Sequence, residues 1–357
     1  MGSRTIVNIG GQRFDRIREQ GAFYIDKTGF IKEWWEDGSD VTLITRPRRF
    51  GKTLNMSMTA CFFSNQYANR GDLFEGLEVW NDERYRQLQG TYPVIFLSFA
   101  GVKAARYADM EYLLTETFAK LYEQNRYLLK GGLLSENEVE YYNRIKPGMD
   151  GTAAFGAVNS MCEFMHRYYK KEVIILLDEY DTPMQEAWLG DYWDEAVKFF
   201  RIFFDNTFKT NPHLYRGIIT GIARISKESI FSDLNNLKVM TTTSNQYATS
   251  FGFTEQEVFQ ALDDMGLGSE KENVRRWYDG FTFGKHTDIY NPWSISSFIE
   301  NNGEYAAYWT NTSSNSLVNS LIQRGNISVK QIMETLITGG SFTAVIDEQI
   351  VFTQLDG

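Results

Sequence analysis

Four short apolar runs set the frame of the chain: "VTLIT" at 41–45, "VIFLSF" at 94–99, "VIILL" at 173–177 and "GIIT" at 217–220. Each is strand length, rich in β-branched residues and free of polar alternation. Strands buried on both faces of a parallel sheet read this way. Between them lie helical patterns at 53–65, 109–129, 152–169 and 184–208. Strand alternating with helix predicts an α/β architecture, a parallel sheet sandwiched by helices with right-handed crossovers.

The texture changes after about residue 225. "LKVMTTTS" at 237–244 predicts a fifth strand, and helical patterns then dominate, at 254–265, 269–277, 293–301 and 315–336. Turn signals separate them, in "YDGFTFGKH" at 278–286 and "YNP" at 290–292. The expected division is a core over 1–244 and a smaller, mainly helical domain over 245–340. The stretch 341–357 alternates like the start of a hairpin, as a truncated C-terminal element would.

The first apolar run leads into "RPRRFGKTLN" at 46–55. Gly51, Lys52 and Thr53 form the second half of the phosphate-loop pattern G-x4-G-K-[ST]. Gly51 lets the backbone approach phosphate oxygens, and the helix N-terminus that follows attracts anions. Lys52 can reach β- and γ-phosphates, and Thr53 can offer a hydroxyl to Mg²⁺. Arg46 replaces the first glycine, and Pro47 stiffens the entry, so the loop must enter differently from the standard one. Arg46, Arg48 and Arg49 are read either as a solvated basic turn or as extra phosphate recognition. The nucleotide-contacting stretch runs from Arg46 through Pro47, Arg48, Arg49, Phe50, Gly51, Lys52 and Thr53 to Leu54.

The third run ends in "DEYDTP" at 178–183. A parallel strand would present Asp178 and Glu179 at its C-terminal edge, where α/β sheets bind ligands. Asp178 suits Mg²⁺, directly or through water, and Glu179 suits a general base on the attacking water. Together, the two motifs describe a P-loop NTPase with a catalytic glutamate. The fourth run places Thr220 at a strand end, as a sensor beside the γ-phosphate. Arg224 and Lys227 follow, either as surface charges or as a transition-state cation. Such a cation could act in cis, or in trans within an oligomer.

Charge and composition narrow the partners. The formal net charge is −10, which disfavours a DNA-coating role but leaves room for one local positive site. Cys61 and Cys162 are too few for a disulfide framework and are spaced like no metal site. No apolar run nears the roughly 18 residues of a membrane span. No signal-peptide core opens the chain. The expectation is a cytoplasmic protein with reduced thiols and no membrane partner.

The motifs resemble those of the AAA-ATPase-like family of bacterial proteins. The matching segments are "FYIDKTGFI" at 23–31, "RPRRFGKTLN" at 46–55, "LLDEYDTP" at 176–183, "ITGIARISKESIFSDLNNL" at 219–237, "WYDGFTFG" at 277–284 and "YNPWSI" at 290–295. The resemblance implies an ATP-binding and ATP-hydrolysing regulatory module using Mg²⁺. It also implies that an arginine at the first loop position suits nucleotide binding. Asp26, Lys27 and Thr28 lie in the segment that in related ATPases sits near adenine; a helix-capping role is the equal alternative. The last two segments take a structural or lid role. Members often carry a C-terminal nuclease-like domain, whose Glu-x-Lys-like pair is not found before Gly357, so a protein or nuclease-domain partner is expected outside this stretch. A nucleotide switch with negligible turnover, a DNA-associated ATPase and a small-molecule kinase remain the alternatives.

Overall fold

A computed structural model describes residues 6–224, 230–231, 234–309, 327–341 and 343. The tail pattern at 341–357, Lys227 and the 315–326 part of the last predicted helix lie wholly or almost wholly outside the described residues.

Five parallel strands form the central sheet: β1 (Val41–Thr45), β2 (Val94–Ser98), β3 (Val173–Asp178), β4 (Leu214–Gly221) and β5 (Leu237–Met240). Their spatial order is β2-β3-β4-β1-β5. Every residue of β1 and β3 is buried, as two-faced burial demands of unbroken apolar strands. β2 lies at the edge, and its Phe96 is 37% exposed. Alternate residues feed two cores. Val41, Leu43, Ile95, Leu97, Val173, Ile175 and Ile219 pack with helices Tyr107–Gln124, Gly151–Tyr169 and Trp193–Phe204. Ile44, Ile174, Leu176 and Ile218 pack with helices Phe14–Glu19, Gly29–Asp37 and Lys52–Phe63 on the other face. The result is the helix–sheet–helix sandwich of an α/β protein.

The single helical pattern at 184–208 resolves into two helices, Thr182–Leu189 and Trp193–Phe204, followed by a wide turn over Asp205–Lys209. The break falls at Gly190 and Asp191, the latter left-handed with φ 58°. A Cβ at Gly190 would sit 2.7 Å from the Ala105 carbonyl oxygen, so the chain turns there against the loop after β2.

Beyond β5 the chain forms a small mainly helical module. Helices Glu255–Asp264, Lys271–Tyr278 and Pro292–Glu300 surround a core of Val258, Leu262, Val274, Ile295 and Phe298. The module also contains an antiparallel sheet of β6 (Phe253–Thr254), β7 (Phe281–Phe283) and β8 (His286–Tyr290), in order β6-β8-β7, of which β7 falls within the 278–286 stretch read as a turn. Helix Glu255–Asp264 opens with a capping box between Thr254 and Glu257. Among the described residues, no helix is long and apolar enough to cross a membrane.

Register makes the C-terminal ends of the central strands level. Ile44 stands opposite Thr220, Thr45 opposite Gly221, and Ser98 opposite Asp178. Gly221 permits the crowding at this edge: a Cβ there would lie 2.6 Å from the Tyr180 ring and 2.7 Å from Asp181 Oδ1. Gly221→Ala is therefore expected to cost about 1–3 kcal/mol in denaturant unfolding, as overpacking does. Gly101→Ala, where an added Cβ meets nothing within 4 Å, should stay within about 0.5 kcal/mol of wild type.

Candidate active site

Gly51, with φ 80°, caps helix Lys52–Phe63, whose N-terminus has no side-chain cap. Its open N–H groups therefore face the level strand ends, where an anion would be held. The Lys52 side chain is buried and folds back across the loop. Its Nζ donates to the carbonyls of Arg46 at 2.9 Å and Pro47 at 3.0 Å. Burial lowers the Lys52 pKa, while the charges of Asp181, Glu179 and Asp178 oppose that shift.

Asp178, at the end of β3, is 1% exposed. Thr53 Oγ1 donates to its Oδ2 at 2.7 Å, and Thr220 Oγ1 donates to its Oδ1 at 2.5 Å. Burial raises its pKa; the two hydroxyl bonds pull it down. Thr220, expected as a sensor, is thus committed to Asp178. Glu179 is half-buried and sits at φ 51°, an uncommon conformation for a non-glycine residue. Its carboxylate accepts from Thr182 Oγ1 at 3.1 Å.

A cavity of about 440 Å³ opens beside these groups. Arg48, Arg49, Phe50, Gly51, Lys52, Thr53, Leu54 and Glu179 line it, so the structure brings most of the expected residues to one place. Its far walls come from Phe23, Tyr24 and Ile25 on one side and Phe253, Pro292 and Trp293 on the other. The mainly helical module thus contributes part of the wall.

Six expected residues lie outside the cavity lining: Asp178 and Thr220, joined to each other behind Thr53, and Arg46, Pro47, Asp26 and Arg224. Arg46 contributes its carbonyl to Lys52, but its guanidinium is fully buried away from the cavity. It donates to the carbonyls of Thr45 at 2.9 Å, Thr241 at 2.6 Å and Tyr247 at 3.3 Å. Burial lowers its pKa to about 10. Pro47 likewise joins only through its carbonyl. Asp26 braces the chain before helix Gly29–Asp37: it accepts from the Thr28 N–H at 2.8 Å, the Thr28 hydroxyl at 2.7 Å and the Glu78 N–H at 2.6 Å. Its neighbours Ile25 and Lys27 line the cavity instead. Arg224 lines a separate cavity of about 70 Å³ with Phe231, Leu234, Leu237 and Val239.

Asp181 was not anticipated as a site group, and Lys27 was expected only as part of the segment near adenine. Asp181, 1% exposed, accepts from the N–H groups of Ile222 at 2.9 Å and Ala223 at 3.0 Å, pinning the exit of β4. Lys27, buried at the cavity wall, donates to both Glu257 oxygens, at 2.7 and 2.6 Å, and to the Thr249 carbonyl at 2.8 Å. Asp181 stood in the acidic motif and Lys27 beside Asp26, but neither spacing told which partners the fold would supply.

Among the described residues, no cluster of three or more His, Cys, Asp or Glu side chains could cage a metal ion. The hydroxyl of Thr53 beside the carboxylate of Asp178 is a donor set of the kind Mg²⁺ takes, with one or two carboxylates, waters and substrate phosphates. Thr53 and Asp178, already in contact, are the residues that would hold it.

The five-stranded parallel sheet, the loop after β1 and the carboxylates after β3 define a P-loop NTPase-like α/β protein. A model of the predicted AAA-ATPase family matches residues 8–231, more than half of the chain, and the chain belongs to that family. It is also 28% identical over 341 residues to a protein described as "Uncharacterized protein in vnfD 5'region" from Azotobacter chroococcum mcd 1. That alignment takes in 93% of this chain and 60% of the relative, so the chain spans about three fifths of the relative's length. Family membership supports nucleotide binding and ATPase activity.

The buried carboxyl of Asp178 has a stability consequence. With its pKa raised by folding, the native state binds more protons than the unfolded chain above the ordinary carboxylate pKa of about 4. Stability is then highest below that value and falls as pH rises through the raised pKa. Asp178→Asn should remove this loss. Without added nucleotide, the variant is expected to unfold at or above the wild-type temperature at neutral pH, with the gap closing toward pH ~4. Thermal unfolding across pH measures it.

Proposed function

We propose that the chain binds ATP with Mg²⁺ in this cavity, hydrolyses it, and passes its nucleotide state to a partner or downstream domain. The observation that carries this reading is the direct bond between Thr53 of the phosphate loop and Asp178, at the level of the strand ends where Lys52 and Glu179 converge. The loop N–H groups and the helix N-terminus hold phosphate oxygens, and Lys52 exchanges two carbonyl partners for phosphate oxygens. Mg²⁺, held by Thr53 and Asp178, would neutralise developing charge on the phosphates. Glu179 orients a water and takes its proton as the water oxygen bonds to the γ-phosphorus. The bond from that phosphorus to the bridging oxygen breaks, leaving ADP and inorganic phosphate.

A second reading, a nucleotide switch with slow turnover, draws support from Arg224. That residue lines another cavity and not the one that holds Lys52 and Glu179, and Lys227, the other cation the sequence offered, lies outside the described residues. A partner that supplies or repositions a cation would then raise turnover.

Phosphate release with MgATP tests both readings. Glu179→Gln is expected to lower kcat by about 10²–10⁴-fold, the usual contribution of a general base, while retaining ATP binding. Lys52→Ala should lose binding as well. Release unchanged in both variants would overturn the ATPase reading, whereas tight binding with negligible single-turnover release by wild type would favour the switch.

A further inference from the structure

The phosphate loop carries Arg46-Pro47 where its pattern has a glycine, and Arg49 at φ 67°. A loop of this kind needs support from its surroundings to hold a strained conformation. Its side chains show where that support lies. The Arg46 guanidinium stands 4.9 Å from the Phe283 ring centroid and 5.8 Å from that of Phe251. The Phe50 ring packs edge-on against Phe281 at 4.8 Å and lies 5.3 Å from Phe283. The Phe50 carbonyl accepts from the Gly252 N–H at 3.3 Å. The Arg49 guanidinium lies 4.2 Å over the Trp293 ring. Phe281 and Phe283 belong to β7, and Trp293 to the first turn of helix Pro292–Glu300. All three lie beyond residue 231, where the family match ends.

We propose that Phe281, Phe283 and Trp293 are positioning residues for the phosphate loop: an aromatic clamp from the mainly helical module holds Arg46, Phe50 and Arg49 and so sets the shape that receives phosphate. The inference rests on the nucleotide reading of the cavity and goes beyond it. The Arg46 and Pro47 carbonyls are the partners of Lys52. Anchoring the Arg46 side chain therefore also sets where the ammonium sits. Rings against guanidinium groups give the contact direction as well as attraction, because the π face is negative and the cation planar. Displacing the module would disturb the loop at three points together. A partner that moves the module would thereby change nucleotide affinity.

Phe281 and Trp293 are half-buried, which makes them the residues to vary. The full chain is compared as wild type, Phe281→Leu, Trp293→Leu and Trp293→Phe. MgATP affinity is read by calorimetry, KM and kcat by phosphate release, and loop amide protection by hydrogen exchange. Trp293→Leu and Phe281→Leu are each expected to weaken MgATP binding about tenfold, the scale of a partly desolvated cation–π contact for Trp293 and of an aromatic pair for Phe281. KM should rise more than kcat falls, and exchange over 46–52 should quicken while β1 and β3 stay protected. Trp293→Phe keeps an aromatic face and should restore most of the affinity. Unchanged affinity and unchanged loop exchange in both leucine variants would overturn the clamp. A leucine variant that loses protection throughout the sheet would also overturn it, since the residue would then support the whole fold. If wild type binds no MgATP, the nucleotide reading fails, and loop exchange in the variants decides the clamp on its own.

Discussion

The carboxylate of Asp178 is the group on which the site's geometry depends. It joins three elements at once: the end of β3, the Thr53 hydroxyl at the start of the helix after β1, and the Thr220 hydroxyl near the end of β4. Such a meeting requires the strands to end level, and the pairing of Ile44 with Thr220 and Ser98 with Asp178 provides that. A one-residue slip would turn each of these side chains to the opposite face. Burying the carboxylate is costly, and two hydroxyl donors with the nearby Lys52 charge offset only part of that cost, since its pKa remains raised. The group is thus poised to gain from a cation, which is the property a nucleotide–metal site needs.

Some of this architecture was legible because burial on two faces leaves a plain mark. β1 and β3 appear in the sequence as unbroken apolar runs, and the structure buries every residue of both. The same reading fails at the margins for physical reasons. β2 is also an apolar run, yet it lies at the sheet edge and leaves Phe96 partly exposed. The small sheet left no pattern to read: β6 has two residues and β7 three, and the first three residues of β8 are exposed. Strands that short are defined by their pairing partners, not by their own periodicity.

The site was legible to a similar depth. Gly51, Lys52, Thr53 and Glu179 were found because their chemistry is local: a loop, a helix start and a strand end. Arg46 shows the limit. Counted with Arg48 and Arg49, it reads as part of a cationic cluster, but sequence spacing does not say which way a side chain points. Its guanidinium instead satisfies three carbonyls from β1 and the segment after β5. Trp293 stood in a recognised segment, and nothing local tied it to Arg49, 244 positions earlier. Asp181 was similarly visible as a residue and hidden as a brace, because its partners are backbone N–H groups just beyond β4, 41 and 42 positions away.

These contacts bear on how nucleotide binding and domain position influence each other. Lys52 donates to the carbonyls of Arg46 and Pro47, so a phosphate must compete with two neutral acceptors for the ammonium. The ammonium–carbonyl bonds carry one charge and an ammonium–phosphate bond pairs two opposite charges, so the exchange is favourable when the phosphate is already held by the loop N–H groups. Once Lys52 turns away, the two carbonyls lose a cationic partner and the strained entry to the loop loses an internal tie. The Arg46 side chain then carries more of the burden of holding that entry, and its anchors are Phe251, Phe283 and the carbonyls of Thr241 and Tyr247. On the proposed reading, phosphate binding would transfer support for the loop from Lys52 to the region after β5. By linkage, if bound phosphate tightens those anchors by some factor, engaging the anchors tightens phosphate binding by that same factor.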